Sequence, residues 1–398
     1  MNRIVRWIIM ALLTGPLAAI GATIMVSGVS SLSALLTPTI GFYAAPIVGA
    51  LMAAAIIRRQ PSVAGTGSDI YIASLKTRSL SSNPASILGK IGATILVVGS
   101  GGSGGLAGPA LHVGAGLHVV FHPILELLGK VDDRDERTLR IVGAAGLLGA
   151  ITGAPLASGL LTIEILHRNH VEYGEMVPSI LGAISGAVFY GWIGGETSTV
   201  SRVFADPTTT SLFAAIVAAL IAGGGGFLLT RMLKIIHRIA RHRVSSSTAI
   251  VVGASVTGLI ALLVGPEILG WGVPRAITSY AISPSLGFRG FTLLLGKILA
   301  TAATVGSGGS GGVIGPSLVM GAFAGNGVAI LSGTCVASAS AAGMAAALAA
   351  ISNVPIAAGI MMIEIFGSAV SPYAALGSVI GFVMARSTVA YSYLPGED

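Results

Sequence analysis

Two glycine-rich segments are the part of this chain whose residue types and spacing could do chemistry. GSGGSGGLAGP occupies residues 99–109 and GSGGSGGVIGP occupies residues 306–316, so nine of eleven letters match across an offset of 207. Each segment ends in Pro and an apolar stretch, and Pro in the first turn of a helix loses no hydrogen bond. The first N–H groups of such a helix lack partners and carry partial positive charge. Two such helix ends directed at one point would bind an anion.

These glycine segments contain no lysine or arginine. Residues 91–120 carry none, and residues 298–397 carry only Arg386. An anion held by partial charges is released more easily than one held by a full cation, which suits conduction. The alternative is that the glycines only permit close helix packing. Their duplication favours a shared site.

The composition of the whole chain indicates the class of protein that contains these glycine segments. Of 398 residues, 53% are hydrophobic and 9% are charged, whereas a soluble domain carries roughly 25% charge. This excludes a cytosolic enzyme, a disordered chain and a nucleic-acid-binding module, and it leaves a polytopic membrane protein. The net charge of +7 falls in short basic loops, a pattern typical of the cytoplasmic side.

Apolar blocks fill nearly all of the sequence. The first block, near residues 5–30, exceeds the roughly 20 residues that a membrane span needs, which favours a retained helix over a cleaved signal peptide. Further spans are predicted near residues 39–58, 85–100, 138–166, 174–194, 210–236, 248–268, 287–305 and 371–390, with shorter blocks near 107–128, 313–332 and 338–366.

A second pair of matching segments extends the repeat. GAPLASGLLTIEI (153–165) resembles NVPIAAGIMMIEI (353–365), which places Glu164 and Glu364 at matching positions. We therefore predict two related halves, 1–200 and 201–398, with a binding site where their broken helices meet. Carboxylates in apolar runs are costly. We interpret both as ligands of neighbouring helix N-termini, with a proton-carrying role for Glu164 as the alternative.

The order of these motifs resembles that of the CLC family of chloride channels and chloride/proton antiporters. GTGSD (65–69) is similar to the family's first anion-coordinating loop, GLAGP (105–109) to its gate loop, and the segment at 306–325 to its second-half signature. The resemblance implies an all-α polytopic fold of two inverted repeats, whose discontinuous helices meet at a mid-membrane anion site. It also implies a homodimer, and no regulatory domain is expected after the last helix.

The resemblance implies a role for each matching residue. Thr66 replaces the family serine whose hydroxyl coordinates the anion, and Tyr391 matches the tyrosine whose hydroxyl closes the site. Backbone amides supply the remaining donors. The implied anion-binding set is Thr66, Gly67, Val313, Ile314 and Tyr391.

Two departures from the family pattern bear on mechanism. The gate position is formed by Leu106, Ala107 and Gly108, and the family's gating glutamate is replaced by Ala107. The proton glutamate that antiporters carry after the position of Glu164 is replaced by Ile165. Alanine and isoleucine carry no proton. We therefore predict passive, uncoupled conduction of chloride or a similar small anion.

Three other functions stay open. The chain could be a chloride/proton antiporter that uses other proton carriers, or a scaffold without transport. The GGSG strings at 101–104 and 308–311 could indicate an intramembrane serine protease, but no His follows His242 to serve Ser310 as a base. We expect no enzymatic activity and no cofactor. The expected partners are the anion and the bilayer of a plasma or inner membrane, with both termini cytoplasmic.

The remaining polar residues receive structural interpretations. His118 and His122 lie four residues apart, as a metal pair would, but the set of ligands is incomplete and no metal site is predicted. His112 is interpreted as a helix-packing histidine. The basic run at 231–243 is interpreted as a solvated helix end near lipid headgroups, and Lys297 as a candidate charge at a pore mouth.

Overall fold

The computed structural model describes residues 3–76, 84–127, 131–166, 172–195, 208–243, 245–386, 388 and 390–391. Within these ranges the chain forms α-helices joined by short 3₁₀ and π turns, and it contains no β-strand. The helices of the first part are α1 Arg3–Ile40, α2 Ala45–Arg59, α3 Ser68–Lys76, α4 Pro84–Gly99, α5 Ala107–Gly116, α6 His118–Leu127, α7 Asp133–Thr152, α8 Pro155–Glu164 and α9 Tyr173–Trp192. Those of the second part are α10 Thr209–Arg243, α11 Ser246–Val264, α12 Val273–Arg275, α13 Phe288–Gly306, α14 Ile314–Ser332, α15 Val336–Ser352, α16 Pro355–Phe366 and α17 Ser371–Ala385.

Seven helical segments in the described ranges are long and apolar enough to cross a membrane. They are Ile4–Ile40, Ala107–Leu127, Thr209–Ala240, Ser246–Val264, Phe288–Gly306, Ile314–Ser332 and Ser368–Ala385. The predicted polytopic all-α fold is therefore confirmed. The first block is one long helix, and it packs against α7 and α9.

The predicted span at 138–166 is wrong because it consists of two helices, and the shorter block at 338–366 is divided in the same way. The block at 138–166 breaks between α7 and α8, where Gly153 has φ +67° and Pro155 starts the next helix. The block at 338–366 breaks in the same way between α15 and α16, where Asn353 has φ +57°. A left-handed residue ends a helix, and the following Pro begins another.

The two parts of the chain repeat the same helix order. Helices α4, α5, α7 and α8 correspond to α13, α14, α15 and α16, and the repeat motifs fall at matching positions. Small residues let the helices within each part approach closely: a Cβ at Gly381 would collide with the carbonyl oxygen of Ala346. The fold is the expected pair of inverted repeats with discontinuous helices. The predicted boundary at residue 200 lies outside the described residues, so the division into 1–200 and 201–398 stays a prediction.

Charged residues at the start of α7 hold the end of α3. Asp132 caps α7, and the donated backbone N–H of Asp135 holds the pKa of the Asp132 carboxyl below its usual range. Arg137 Nη1 donates to the carbonyl of Leu75 at 2.8 Å, and Arg140 Nη1 donates to that of Ser74 at 2.7 Å. Cations at a helix C-terminus are favourable, so α3 is fixed at the end opposite the glycine loops.

Candidate anion site

The two glycine segments meet at the centre of the fold. The N–H of Gly105 donates to the carbonyl of Gly312 at 2.7 Å, and the N–H of Gly312 donates to that of Gly105 at 2.7 Å. Helix α5 begins two residues after Gly105, and α14 begins two residues after Gly312. The predicted meeting of the two helix ends is therefore present.

Neither of these helices has a side-chain cap at its N-terminus. Leu106 occupies the N-cap of α5 and Val313 that of α14, and neither makes a side-chain cap hydrogen bond. Leu106, Val313 and Ile314 are fully buried or nearly so. The first N–H groups of both helices are thus held side by side inside the protein, where their partial positive charge attracts an anion.

The loop before α3 joins this centre. The N–H of Gly65 donates to the carbonyl of Gly308 at 3.3 Å. Gly67 has φ +81°, and a Cβ on it would lie 2.8 Å from the carbonyl oxygen of Gly108. A Cβ on Gly108 would collide with the carbonyl oxygen of Thr66. Only glycine permits this approach, so Thr66 and Gly67 lie directly against the first turn of α5.

Three hydroxyl groups lie around this loop. Thr66 Oγ1 donates to Asp69 Oδ2 at 2.7 Å, so a neighbouring carboxylate engages the predicted anion ligand. Tyr391 is 5% exposed and its hydroxyl lies 3.0 Å from Ser352 Oγ. Ser68 is fully buried, and its Oγ lies close enough to the Tyr391 hydroxyl to interact with it. Sequence reasoning missed Ser68, because the sequence does not show which way its hydroxyl points at the start of α3.

A lysine lies beside the loop before α3, although the glycine segments themselves carry no cation. Lys90, on α4, is fully buried, and its Nζ donates to the carbonyls of Val63 at 3.0 Å and Gly65 at 2.8 Å. Its Cε lies 2.9 Å from where a Cβ on Gly67 would be. Lys90 therefore stabilises the loop before α3 through two of its carbonyl groups.

Lys297 is the counterpart of Lys90 in the second half. It is fully buried on α13, and its Nζ donates to the carbonyls of Ile268 and Gly270 at 3.0 Å each. Its interpretation as a charge at a pore mouth is wrong. The chain therefore uses a buried ammonium in each half to fix the loop before α3 and the loop before α12.

A small cavity lies beside Ala107. Its volume is about 20 Å³, and apolar side chains from both halves line most of it, with Ala107, Ile151, Trp271, Ile314 and Met361 among them. A space of this size admits one water-sized species. No carboxylate of the described residues lines it. Ile165 is buried in the core at the end of α8, without a charged group at that position.

The two intramembrane glutamates bind helix ends reciprocally. The carboxylate of Glu164 accepts from the N–H groups of Ile356 at 3.0 Å and Ala357 at 2.9 Å, at the start of α16. Glu364 accepts from Leu156 and Ala157 at 2.9 and 2.8 Å, at the start of α8. The structural interpretation of both residues is confirmed.

His112, His118 and His122 contact groups outside the two glycine segments. His112 Nε2 lies 3.2 Å from Ser86 Oγ, while its buried Nδ1 has no partner among the described residues. His118 approaches Glu136 at 3.7 Å and His122 approaches Glu126 at 3.4 Å. The described residues contain no group of three metal-ligating side chains.

Each serine of the two GGSG strings pairs with a threonine hydroxyl, and no described histidine contacts either serine. Ser103 Oγ lies 2.8 Å from Thr301 Oγ1, and Ser310 Oγ lies 3.0 Å from Thr94 Oγ1. These hydroxyl pairs join the two halves, and the protease interpretation is wrong. Arg231 and Lys234 are exposed at the end of α10, as predicted, while the side chains at 241–243 lie outside the described part of the chain.

Helix N-termini that lack side-chain caps and meet inside a multi-pass helical bundle are typical of transport proteins built from discontinuous helices. The family model described as voltage gated chloride channel matches residues 48–386. The chain belongs to this family, the CLC family, and is an anion transport protein of the membrane rather than an enzyme.

Relatives and solved structures agree with this assignment. The chain is 26% identical over 98% of its length to a Methanocaldococcus jannaschii protein, of which it covers 96%. It is 28% identical over 97% of its length to the "Voltage-gated ClC-type chloride channel ClcB" of Salmonella typhi, of which it covers 90%. A crystal structure of a CLC-type fluoride/proton antiporter has a TM-score of 0.84 at 21% identity, with 98% of each chain covered. That of a slow cyanobacterial Cl⁻/H⁺ antiporter has a TM-score of 0.80 at 21% identity, with 96% of this chain and 94% of the other covered.

Proposed function

We propose that this protein conducts chloride or a similar small anion passively, without coupled proton movement. The observation that carries the proposal is the pair of uncapped helix N-termini, α5 and α14, joined through Gly105 and Gly312 with Ala107 at the first position of α5. The anion binds near Thr66, Gly67 and Tyr391 and the amides of Val313 and Ile314. Neutral donors bind an ionised acceptor with about 1.5–3 kcal/mol each.

The case against proton coupling comes from the two replaced carboxylates. Ala107 adjoins an apolar cavity and Ile165 lies in the core, so neither position can hold a proton. Glu164 is occupied by two backbone N–H groups. These features support anion conduction in which no proton passes through the positions of Ala107 and Ile165.

A chloride flux assay with a proton readout tests this proposal. Purified protein in liposomes is given an outward chloride gradient with valinomycin to clamp the voltage, and external chloride and pH are recorded together. We expect chloride efflux with no proton uptake beyond that of protein-free liposomes. Uphill proton movement in a fixed ratio to chloride would overturn the uncoupled mechanism. Running the same assay with fluoride identifies which halide passes faster.

Coupled exchange is the second candidate function. Both solved structures reported above belong to antiporters, and the chain has a charged pair near the buried Tyr71, where Glu175 binds Arg137 Nε at 2.5 Å. In this mechanism Glu175 replaces the missing proton glutamate. Loss of proton uptake in Glu175→Gln with chloride efflux retained would support it.

We also propose a homodimer in a plasma or inner membrane, with both termini cytoplasmic. The support is the family resemblance, the exposed basic end of α10, and the apolar side chains exposed on α11, such as Leu259 and Leu263. Light scattering in detergent, corrected for bound detergent, measures the protein mass directly. A value near the 39.7 kDa of one chain would contradict the dimer.

A further inference from the structure

Trp271 is a polar aromatic residue beside the candidate anion site, and conduction as proposed above gives its indole no role. It is half-buried, lines the small cavity next to Ala107, and packs against apolar residues of both halves. The N–H of a buried tryptophan usually has a hydrogen-bond partner. None of the described residues accepts a hydrogen bond from Trp271 Nε1.

The loop before α12 holds the backbone on both sides of Trp271. Gly270 has φ +60° and Gly272 has φ +68°, in the left-handed region that favours glycine. The N–H of Gly270 donates to the carbonyl of Gly101 at 3.0 Å, and the carbonyl of Gly270 accepts from Lys297 Nζ at 3.0 Å. The position of the indole is therefore set by a loop that hydrogen bonds to both halves fix in place.

The loop before α3 has the same arrangement in the opposite sense. There the N–H of Gly65 donates to the carbonyl of Gly308, which is the counterpart of Gly101 under the repeat offset of 207. Each loop thus binds the glycine segment of the other half. Thr66 and Trp271 occupy equivalent places, because each lies between two glycines of such a loop.

The indole lies against the first turn of α14. A Cβ on Gly315, the second residue of α14, would lie 3.1 Å from Cδ1 and 3.2 Å from Nε1 of Trp271. The N–H groups of this turn have no partner within the helix. Thr152 is the other described residue of the cavity lining with a hydroxyl or N–H side-chain group, and its hydroxyl donates to the carbonyl of Leu148 at 2.9 Å. The indole N–H is thus the unengaged side-chain donor among the described lining residues.

We propose that Trp271 is a ligand of the permeating anion, and that its Nε1–H donates a hydrogen bond to the anion in the cavity beside Ala107. The indole N–H is a donor and never an acceptor, and it carries no charge. It therefore stabilises an anion next to the start of α14 without the tight binding that a full cation would cause. This inference rests on the proposed conduction and adds a donor from the second half to those near Thr66.

Chloride flux through Trp271→Phe tests the inference. Phenylalanine keeps an aromatic ring and removes the N–H. A hydrogen bond to an ionised acceptor corresponds to a factor of ten or more, so we expect chloride efflux from liposomes to fall by about tenfold. Chloride affinity in detergent, measured by calorimetry, should be retained because Thr66 and Tyr391 are unchanged. Trp192→Phe is the matched control, since Trp192 is exposed on α9, and it should keep wild-type flux.

Indole fluorescence distinguishes an anion ligand from a packing residue. Replacing Trp7 and Trp192 by phenylalanine leaves Trp271 as the sole tryptophan of the chain. Bromide is the probe, because it quenches indole emission on contact. Bromide bound at the N–H should quench the emission with a saturable dependence on its concentration, and chloride should compete with it. Trp271 stays in place in this protein, so the measurement holds even if Trp271→Phe elutes as an aggregate.

The two measurements together decide the role of the indole. Reduced flux in Trp271→Phe with saturable quenching supports it. Unchanged flux in that variant overturns it, and quenching that rises linearly with bromide, whatever the flux, assigns Trp271 to packing alone. Both of these results leave the proposed conduction intact. Wild-type protein that passes no chloride overturns the proposed function, and this inference with it.

Discussion

At the scale of single residues, Ala107 leaves the start of α5 without a carboxylate side chain. It is the first residue of α5, its helix end has no side-chain cap, and its methyl group borders a cavity of about 20 Å³. An alanine cannot extend into that space or compete with an ion there. In the mechanism proposed above, the N–H groups of α5 are therefore available to the anion.

Ala107→Glu should restore a competitor at this position. A carboxylate at a helix N-terminus gains up to about 2 kcal/mol from the aligned dipoles in a partly buried geometry, so we expect chloride efflux at neutral pH to fall by at least roughly tenfold. Acidification should recover the efflux because the neutral acid binds the helix end less strongly. The measurement is liposome efflux against pH, with Ala107→Gln as the control of equal size. Equal rates in the Glu and Gln variants would contradict an open pathway at Ala107.

At the scale of elements, two helices carry buried lysines that hold the loops of the site. Lys90 on α4 binds the loop before α3, and Lys297 on α13 binds the loop before α12, each through two carbonyls. The loops themselves differ, since residues 65–67 read Gly-Thr-Gly and residues 270–272 read Gly-Trp-Gly. The indole of Trp271 replaces the hydroxyl of Thr66, so of these two loops only the first carries the hydroxyl that the proposed anion site uses.

The two lysines therefore form a matched pair of variants. Lys90→Met and Lys297→Met should each lower the free energy of unfolding by about 2–3 kcal/mol, because hydrogen bonds to a charged donor are lost and carbonyls stay buried. Only Lys90→Met should also weaken chloride binding. Thermal unfolding in detergent and calorimetry separate the two effects. A loss of chloride affinity of the same size in both variants would show that the loops contribute equally.

The sequence predicted the helix breaks and the meeting of the glycine segments, because glycine, proline and the repeat offset are local signals. It did not predict Lys90 as a loop ligand. The sequence of an apolar block does not show which carbonyl groups its lysine contacts. The ranges 91–120 and 298–397, which carry no cation near the glycine segments, begin one residue after Lys90 and Lys297. Ser68 was missed for a related reason. Which way its hydroxyl points at the start of α3 is a property of the folded loop, and the sequence does not show it.

At the scale of the whole molecule, each half supplies a glutamate that binds a helix N-terminus of the other half. Glu164 of the first part binds the start of α16, and Glu364 of the second part binds the start of α8. The repeat predicted this role because both glutamates follow a proline by nine residues. Two orphan N–H groups are satisfied at each helix start by a residue of the opposite half.

Glu164→Gln and Glu364→Gln should both destabilise the protein without abolishing flux. An amide supplies one acceptor oxygen where the carboxylate supplies two, and charge-assisted bonds are lost, so we expect a decrease of about 1.5–3 kcal/mol in the free energy of unfolding for each variant. Thermal unfolding in detergent measures this, with exposed Glu126→Gln as the control. A variant of unchanged stability that no longer conducts would assign Glu164 to the anion pathway instead.

The backbone pairing of Gly105 with Gly312 restricts how this molecule can move. Many transporters alternate access by rocking one repeat against the other about a central ligand. Here such a swing would pull apart two strong main-chain bonds and both glutamate-bound helix starts in a single motion. We expect the Gly105–Gly312 pairing and the glutamate-bound helix starts to stay intact during transport. Permeation would then depend on the rearrangement of side chains and water within a static backbone.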